Sequence, residues 1–181
     1  MRLSLVDADE SVAVALGEAF RPFPEVAVAH GDLLAVAQNT VVSPANAHGF
    51  MDGGIDSAFR KFFGAAVEVR VREAIGRRHE GYLPIGASLV VPTGNARIPY
   101  MIVAPTMLAP EAIESQNCYR AMRAVLRVAA AQDEVGEAVY CPGLGTGVGQ
   151  VVPKEAARKM VEAYKDWKQA AGGTSKMGGP P

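Results

Sequence analysis

Residues 41–60 read VVSPANAHGFMDGGIDSAFR, and their order predicts a strand, a loop and a helix start. Val41 and Val42 are apolar and β-branched, Ser43-Pro44 breaks the run, and Gly53-Gly54 precedes a helical pattern that begins at Ile55 and Asp56. In an α/β fold, a helix N-terminus reached through such a loop presents backbone N–H groups that hold anions. The stretch is therefore expected to form half of a nucleotide-diphosphate site, with Asn46 and Asp56 as its chemistry-bearing side chains.

Upstream, residues 2–6 alternate apolar and polar, as a half-buried strand does. Asp7 or Asp9 is placed to cap a helix carrying Val12, Leu16, Ala19 and Phe20, which Pro22 and Pro24 end. A second strand, VAVAH at 26–30, closes at Gly31-Asp32, and Leu33, Leu34 and Val36 suggest a short helical turn. Downstream, Ile55, Phe59, Phe62 and Phe63 mark one apolar helix face. Val67, Val71, Ala74 and Ile75 mark another within 65–78. Arg70, Arg72, Arg77 and Arg78 on that helix read as a solvated face, with phosphate binding as the alternative.

Two apolar strands, 87–91 and 100–104, flank PTGNARIP, whose Gly94-Asn95 is a hairpin-like signal, and Asn95 and Arg97 are assigned to that turn. A long helix follows to about Gln132, burying Met122, Val125, Leu126 and Ala129 and turning Arg120, Arg123 and Arg127 outward. Residues 137–141 form the last strand, and Pro153 starts a final helix over 153–169. Residues 171–181 lack periodicity and read as a disordered tail after a single domain over 1–170. Helices interleaved with short strands predict a three-layer α/β/α sandwich with a mixed central sheet of about six or seven strands.

The formal net charge of −1 gives no electrostatic case for binding a nucleic-acid backbone. Cys118 and Cys141 make neither a disulfide framework nor a zinc site, so no metal is expected and a reducing cytoplasm is the simpler location. No apolar run approaches the roughly 18 residues of a membrane span, and acids come too early at the N-terminus for a secretory signal.

A second loop carries chemistry. Gly143-Leu144-Gly145-Thr146-Gly147-Val148-Gly149 follows a strand and places glycine at alternate positions, so successive N–H groups can turn toward one concavity, with the Thr146 hydroxyl a further donor. The P-loop, the dinucleotide fingerprint and the nucleophile elbow all fail to match it.

With these residues in view the chain resembles the macrodomains, which bind ADP-ribose. Residues 41–46 look like the family's V-V-N-A-A-N turn, Gly53-Gly54-Ile55-Asp56 like its G-G-V-D helix start, Gly31-Asp32-Leu33 like its G-D-I, and residues 142–148 like its second phosphate loop. The resemblance implies that Asp32 accepts from the adenine amino group, with a backbone contact from Leu33. It implies that Asn46 holds distal-ribose hydroxyls, that Gly53 and Gly54 let the loop approach that ribose and the diphosphate, and that Gly145, Thr146, Gly147 and Val148 donate N–H groups to the phosphates; Ile55, Gly143 and Gly149 complete the expected ligand-binding set. In the hydrolytic MacroD-like branch, the acid at the position of Asp56 helps activate a water. As a carboxylate at a helix N-terminus it is expected to stay ionised.

The sequence departs from the pattern at Ser43, which replaces the first asparagine, at residues 48–52, and at Gly149, where an aromatic commonly covers the ribose. Phe50 is a candidate to supply that cover from the other loop, with ordinary packing as the alternative. His48 is more readily a polar contact than an acid or base. Cys141 is more readily a core residue than a nucleophile, and Asp52 is a candidate helix cap. The expected partner is ADP-ribose or an ADP-ribosylated substrate, with no cofactor, no membrane, and nucleic acid only as an ADP-ribosylated substrate. Hydrolysis of an ADP-ribosyl linkage or O-acyl-ADP-ribose ester leads, and a non-catalytic reader of ADP-ribose is the alternative.

Overall fold

The computed structural model describes residues 1–174. Six strands form one sheet: β1 (Leu3–Asp7), β2 (Ala27–His30), β3 (Thr40–Ser43), β4 (Leu89–Pro92), β5 (Tyr100–Val103) and β6 (Val139–Cys141). Their order is β2-β1-β6-β3-β5-β4. The first five in that order run parallel and β4 pairs antiparallel to β5, so the sheet is mixed. The helices among the described residues are α1 (Glu10–Phe20), α2 (Leu33–Val36), α3 (Gly54–Phe63), α4 (Ala66–Gly76), α5 (Gln116–Ala131), α6 (Asp133–Gly136) and α7 (Pro153–Thr174).

Strand alternation divides the core in two. Val42 and Ile102 pack with Leu16, Met122, Leu126 and Met160, the apolar stripes of α1, α5 and α7. Val41, Met101 and Val103 point to the other face, against Phe59, Val67, Val71 and Ile75 of α3 and α4. β3 is buried on both sides, which is why it reads as a near-continuous apolar run.

Local chemistry sets several boundaries. Asp9 caps α1 by accepting from Ser11 N, and Asp32 caps α2 by accepting from Leu34 N at 2.8 Å. The turn between β4 and β5 is built by Asn95, whose Oδ1 accepts from the N–H groups of Arg97 and Ile98. Arg97 reaches beyond that turn, donating to Leu34 O and Ala37 O and tying down α2. Arg70 also leaves the solvated face expected of it, bonding Thr93 O.

α7 continues to Thr174, so residues 171–174, read as the start of a tail, are helical. A helix already nucleated gains one hydrogen bond for each residue it adds, which carries it into the glycines. The rest of the expected tail, 175–181, lies outside the described residues.

Candidate functional site

Because β2, β1, β6, β3 and β5 are parallel, the loops that follow them open on one edge of the sheet, the edge where open α/β sheets bind ligands. These loops enclose a cavity of about 700 Å³. Asp32, Leu33, Asn46, Gly53, Gly54, Ile55, Asp56, Gly143, Gly145, Thr146, Gly147, Val148 and Gly149 all line it. Phe50 and Asp52 join them, whereas His48 is exposed outside the lining, its ring 6.5 Å from that of Tyr82.

On the β3 side, the Asn46 side chain is committed to its own loop. Its Oδ1 accepts from His48 N at 3.1 Å and Phe50 N at 3.3 Å, and its Nδ2 donates to Phe50 O at 2.8 Å. The amide expected to hold ribose hydroxyls thus shapes the turn. Met51 N donates to Glu68 of α4, and the Arg72 guanidinium stacks 4.5 Å from the centre of the Phe50 ring. Phe50 is thereby fixed, 44% exposed, at the cavity wall. Asp52 does not cap α3, whose N-cap is Gly53 with no side-chain bond.

Asp56 departs further from expectation. It lies in the first turn of α3 yet is only 7% exposed, and Ser43 Oγ donates to its Oδ1 at 2.6 Å. Burial and, more weakly, the charge of Asp52 push its carboxyl up to about 7, against the lowering effect of the Ser43 bond. The expectation of a permanently ionised carboxylate is therefore corrected. A helix dipole is worth about 0.3–1 kcal/mol at exposed sites, less than one pKa unit, and desolvation of a buried acid exceeds that.

The glycine loop is positioned from β1. Asp7 Oδ2 accepts from Gly143 N and its Oδ1 from Asp9 N, both at 2.9 Å, while its carbonyl accepts from Gly31 N. One residue thus joins the loops after β1, β2 and β6. Asp9, not Asp7, caps α1, and the acid at the end of the first strand organises the loops instead. Thr106, Met107 and Pro110, from the loop after β5, also enter the lining without having been singled out.

Three glycines in this loop are sterically required, the first being Gly143, where a Cβ would lie 2.3 Å from Val12 Cγ1. Gly145 has φ +76°, and a Cβ there would lie 2.9 Å from Cys118 Sγ. At Gly149 a Cβ would lie 2.7 Å from Gly145 O and 2.8 Å from Ile113 Cγ1, so this backbone has no room for a covering aromatic.

Among the described residues, the N–H groups of residues 145–149 have no protein acceptor, and those of Gly54, Ile55 and Asp56 are free at the start of α3. Val148 spans the two loops, its Cγ2 3.6 Å from a Cβ built on Gly53. The Thr146 hydroxyl donates to Gly143 O, so it braces the loop from within. Among the described residues, no lysine, arginine or histidine lines the cavity, while Asp7, Asp9, Asp32, Asp52 and Asp56 do. Cys141 is buried, with its thiol pushed up by burial and by Asp7, and it lies outside the lining. Cys118 is pushed up to about 12 by burial.

The Macro domain family model matches residues 42–160. The chain belongs to the macrodomain family. An uncharacterized protein of Aquifex aeolicus is 34% identical to this macrodomain over 142 residues, covering 78% of the chain and 81% of the relative. The macrodomain of Mycobacterium tuberculosis DarG superposes with a TM-score of 0.64 at 24% identity, over 76% of this chain and 88% of that one. A variant of the Oceanobacillus iheyensis macrodomain, solved with ADPR, gives 0.65 at 18%, over 75% and 74%. These superpositions establish the shared sandwich of this macrodomain.

Proposed function

We propose that this macrodomain binds ADP-ribose and hydrolyses an ADP-ribosyl linkage or an O-acyl-ADP-ribose ester, using Asp56 to activate water. The observation that carries the binding is the order of groups along the cavity. The strand order β2-β1-β6-β3 sets the glycine loop, after β6, between the acids following β1 and β2 and those following β3. Unpaired N–H groups in the middle suit a diphosphate. Asp32, with one oxygen left free by its cap, suits the adenine amino group on one side. Asp52 and the α3 start suit the hydroxyls of a distal ribose on the other. Five acids and no cation among the described lining residues disfavour a bare phosphate, so the ligand must bring donors at both ends of its anion. The neighbours from Oceanobacillus iheyensis and Thermosipho africanus, solved with ADPR and ADP-ribose, agree with this ligand class.

For catalysis, the ionised Asp56 takes a proton from water as the water oxygen bonds to the anomeric carbon or to the ester carbonyl. The bond to the leaving group breaks, and the proton passes to that group. A carboxyl near pH 7 suits a general base working near neutrality. The reader alternative draws on Gly149, where no aromatic covers the ribose.

Wild type and Asp56→Ala are to be incubated with ADP-ribosylated protein, ADP-ribosylated DNA and O-acetyl-ADP-ribose, with ADP-ribose binding followed by calorimetry. Turnover is expected to vanish in the variant, with affinity kept within about threefold, because the lost group acts in the transition state. Binding without product from any wild-type incubation would establish the reader. No binding at all would end both.

A further inference from the structure

The Asp56 carboxyl has two distinct oxygens. Oδ1 accepts from Ser43, which is 1% exposed at the end of β3. Oδ2 has no protein donor. Among the described residues, the one fully buried side-chain polar atom without a hydrogen-bond partner is Arg78 Nε, so Oδ2 keeps access to the cavity that Asp56 lines. We infer that Ser43 is a positioning residue: its hydroxyl clamps Oδ1 and sets the carboxyl plane, so that Oδ2 is the oxygen presented to the attacking water.

The clamp comes from the strand on which α3 rests, and it is short and buried, so the carboxylate is oriented before a ligand arrives. Asp52 is the charged group acting on Asp56, and its charge opposes ionisation. Ser43 supplies the opposing donor. Losing it removes both the alignment and the bond that favours the charged form. The assignment rests on the hydrolase reading for its catalytic consequence, but the hold of Ser43 on Asp56 is measurable without turnover.

The test compares wild type with Ser43→Ala, with Ser43→Cys, which keeps the shape with a weaker donor, and with Ser43→Thr, which keeps the hydroxyl. The readouts are the pH profile of kcat for the substrate wild type turns over, KM, ADP-ribose affinity by calorimetry, and the carboxyl-carbon NMR titration of Asp56. Ser43→Ala and Ser43→Cys should lower kcat at neutral pH by about tenfold, leave KM and ADP-ribose affinity within about twofold, and move the acid limb and the Asp56 titration upward by about half a pH unit or more. Ser43→Thr should restore the limb. An acid limb and Asp56 titration equal to wild type in both of the first two variants would overturn the assignment. If wild type turns over nothing, the hydrolase reading falls and the titration alone decides whether Ser43 holds Asp56.

Discussion

Asp56 gives this macrodomain a stability term that runs against its chemistry. Its carboxyl is pushed up to about 7, mainly by burial. Between the usual carboxylate range and pH 7 the folded chain keeps a proton there that the unfolded chain has lost. Stability therefore falls as pH rises through that window, by on the order of 4 kcal/mol if the shift acts in full. Asp56→Asn keeps an acceptor for Ser43 and removes the titration. Urea denaturation should find the variant's gain over wild type larger at about pH 8 than at about pH 5. Equal gains would mean that Asp56 is ionised in the folded protein throughout. On the proposed hydrolase reading, turnover should rise with pH through about 7 in a kcat profile, because the base is the charged form.

At the scale of elements, the glycine loop is held by a strand distant in the chain. Asp7 and Gly143 are 136 residues apart, yet they bond at 2.9 Å. Gly143 is buried, so Asp7→Ala leaves its N–H without that acceptor, at a cost of about 1–3 kcal/mol. It also frees the loop after β1. Asp7→Ala should lower the melting temperature and weaken ADP-ribose about tenfold in calorimetry, because the N–H groups of residues 145–149 are no longer preorganised. Unchanged affinity at a lowered melting temperature would confine Asp7 to a structural role. On the other side of the cavity, Asn46 and the Phe50–Arg72 stack brace the loop in which the sequence departs most from the family pattern, and so set the shape of the distal wall.

For the molecule as a whole, the parallel order of five strands gathers the cavity loops on one edge, where the described residues present backbone donors and acids but no cationic side chain. Binding of free ADP-ribose should therefore depend weakly on salt, changing less than about threefold from low salt to about 0.5 M NaCl, since close hydrogen bonds are screened far less than separated charges. A steep slope, as when cations neutralise a phosphate backbone, would indicate instead that contacts outside the cavity carry the affinity. No helix among the described residues is long and apolar enough to cross a membrane.

The sequence by itself determined the elements, their order and the family, because these depend on local terms. Alternation made β1, a doubly buried run made β3, helical stripes made α4, α5 and α7, and glycine spacing marked the loop after β6. Motif residues also fall on the cavity, though Thr106, Met107 and Pro110 from the loop after β5 carry no such motif. What the side chains do there was decided by tertiary structure. Asn46 and Thr146 turn their polar groups into their own loops. Asp7 reaches Gly143, and Asp56 is buried against Ser43 beside Asp52. Each outcome depends on which neighbours the fold brings within hydrogen-bond reach and how much water it removes. Periodicity and motif spacing carry neither quantity, because both arise from residues far apart in the chain.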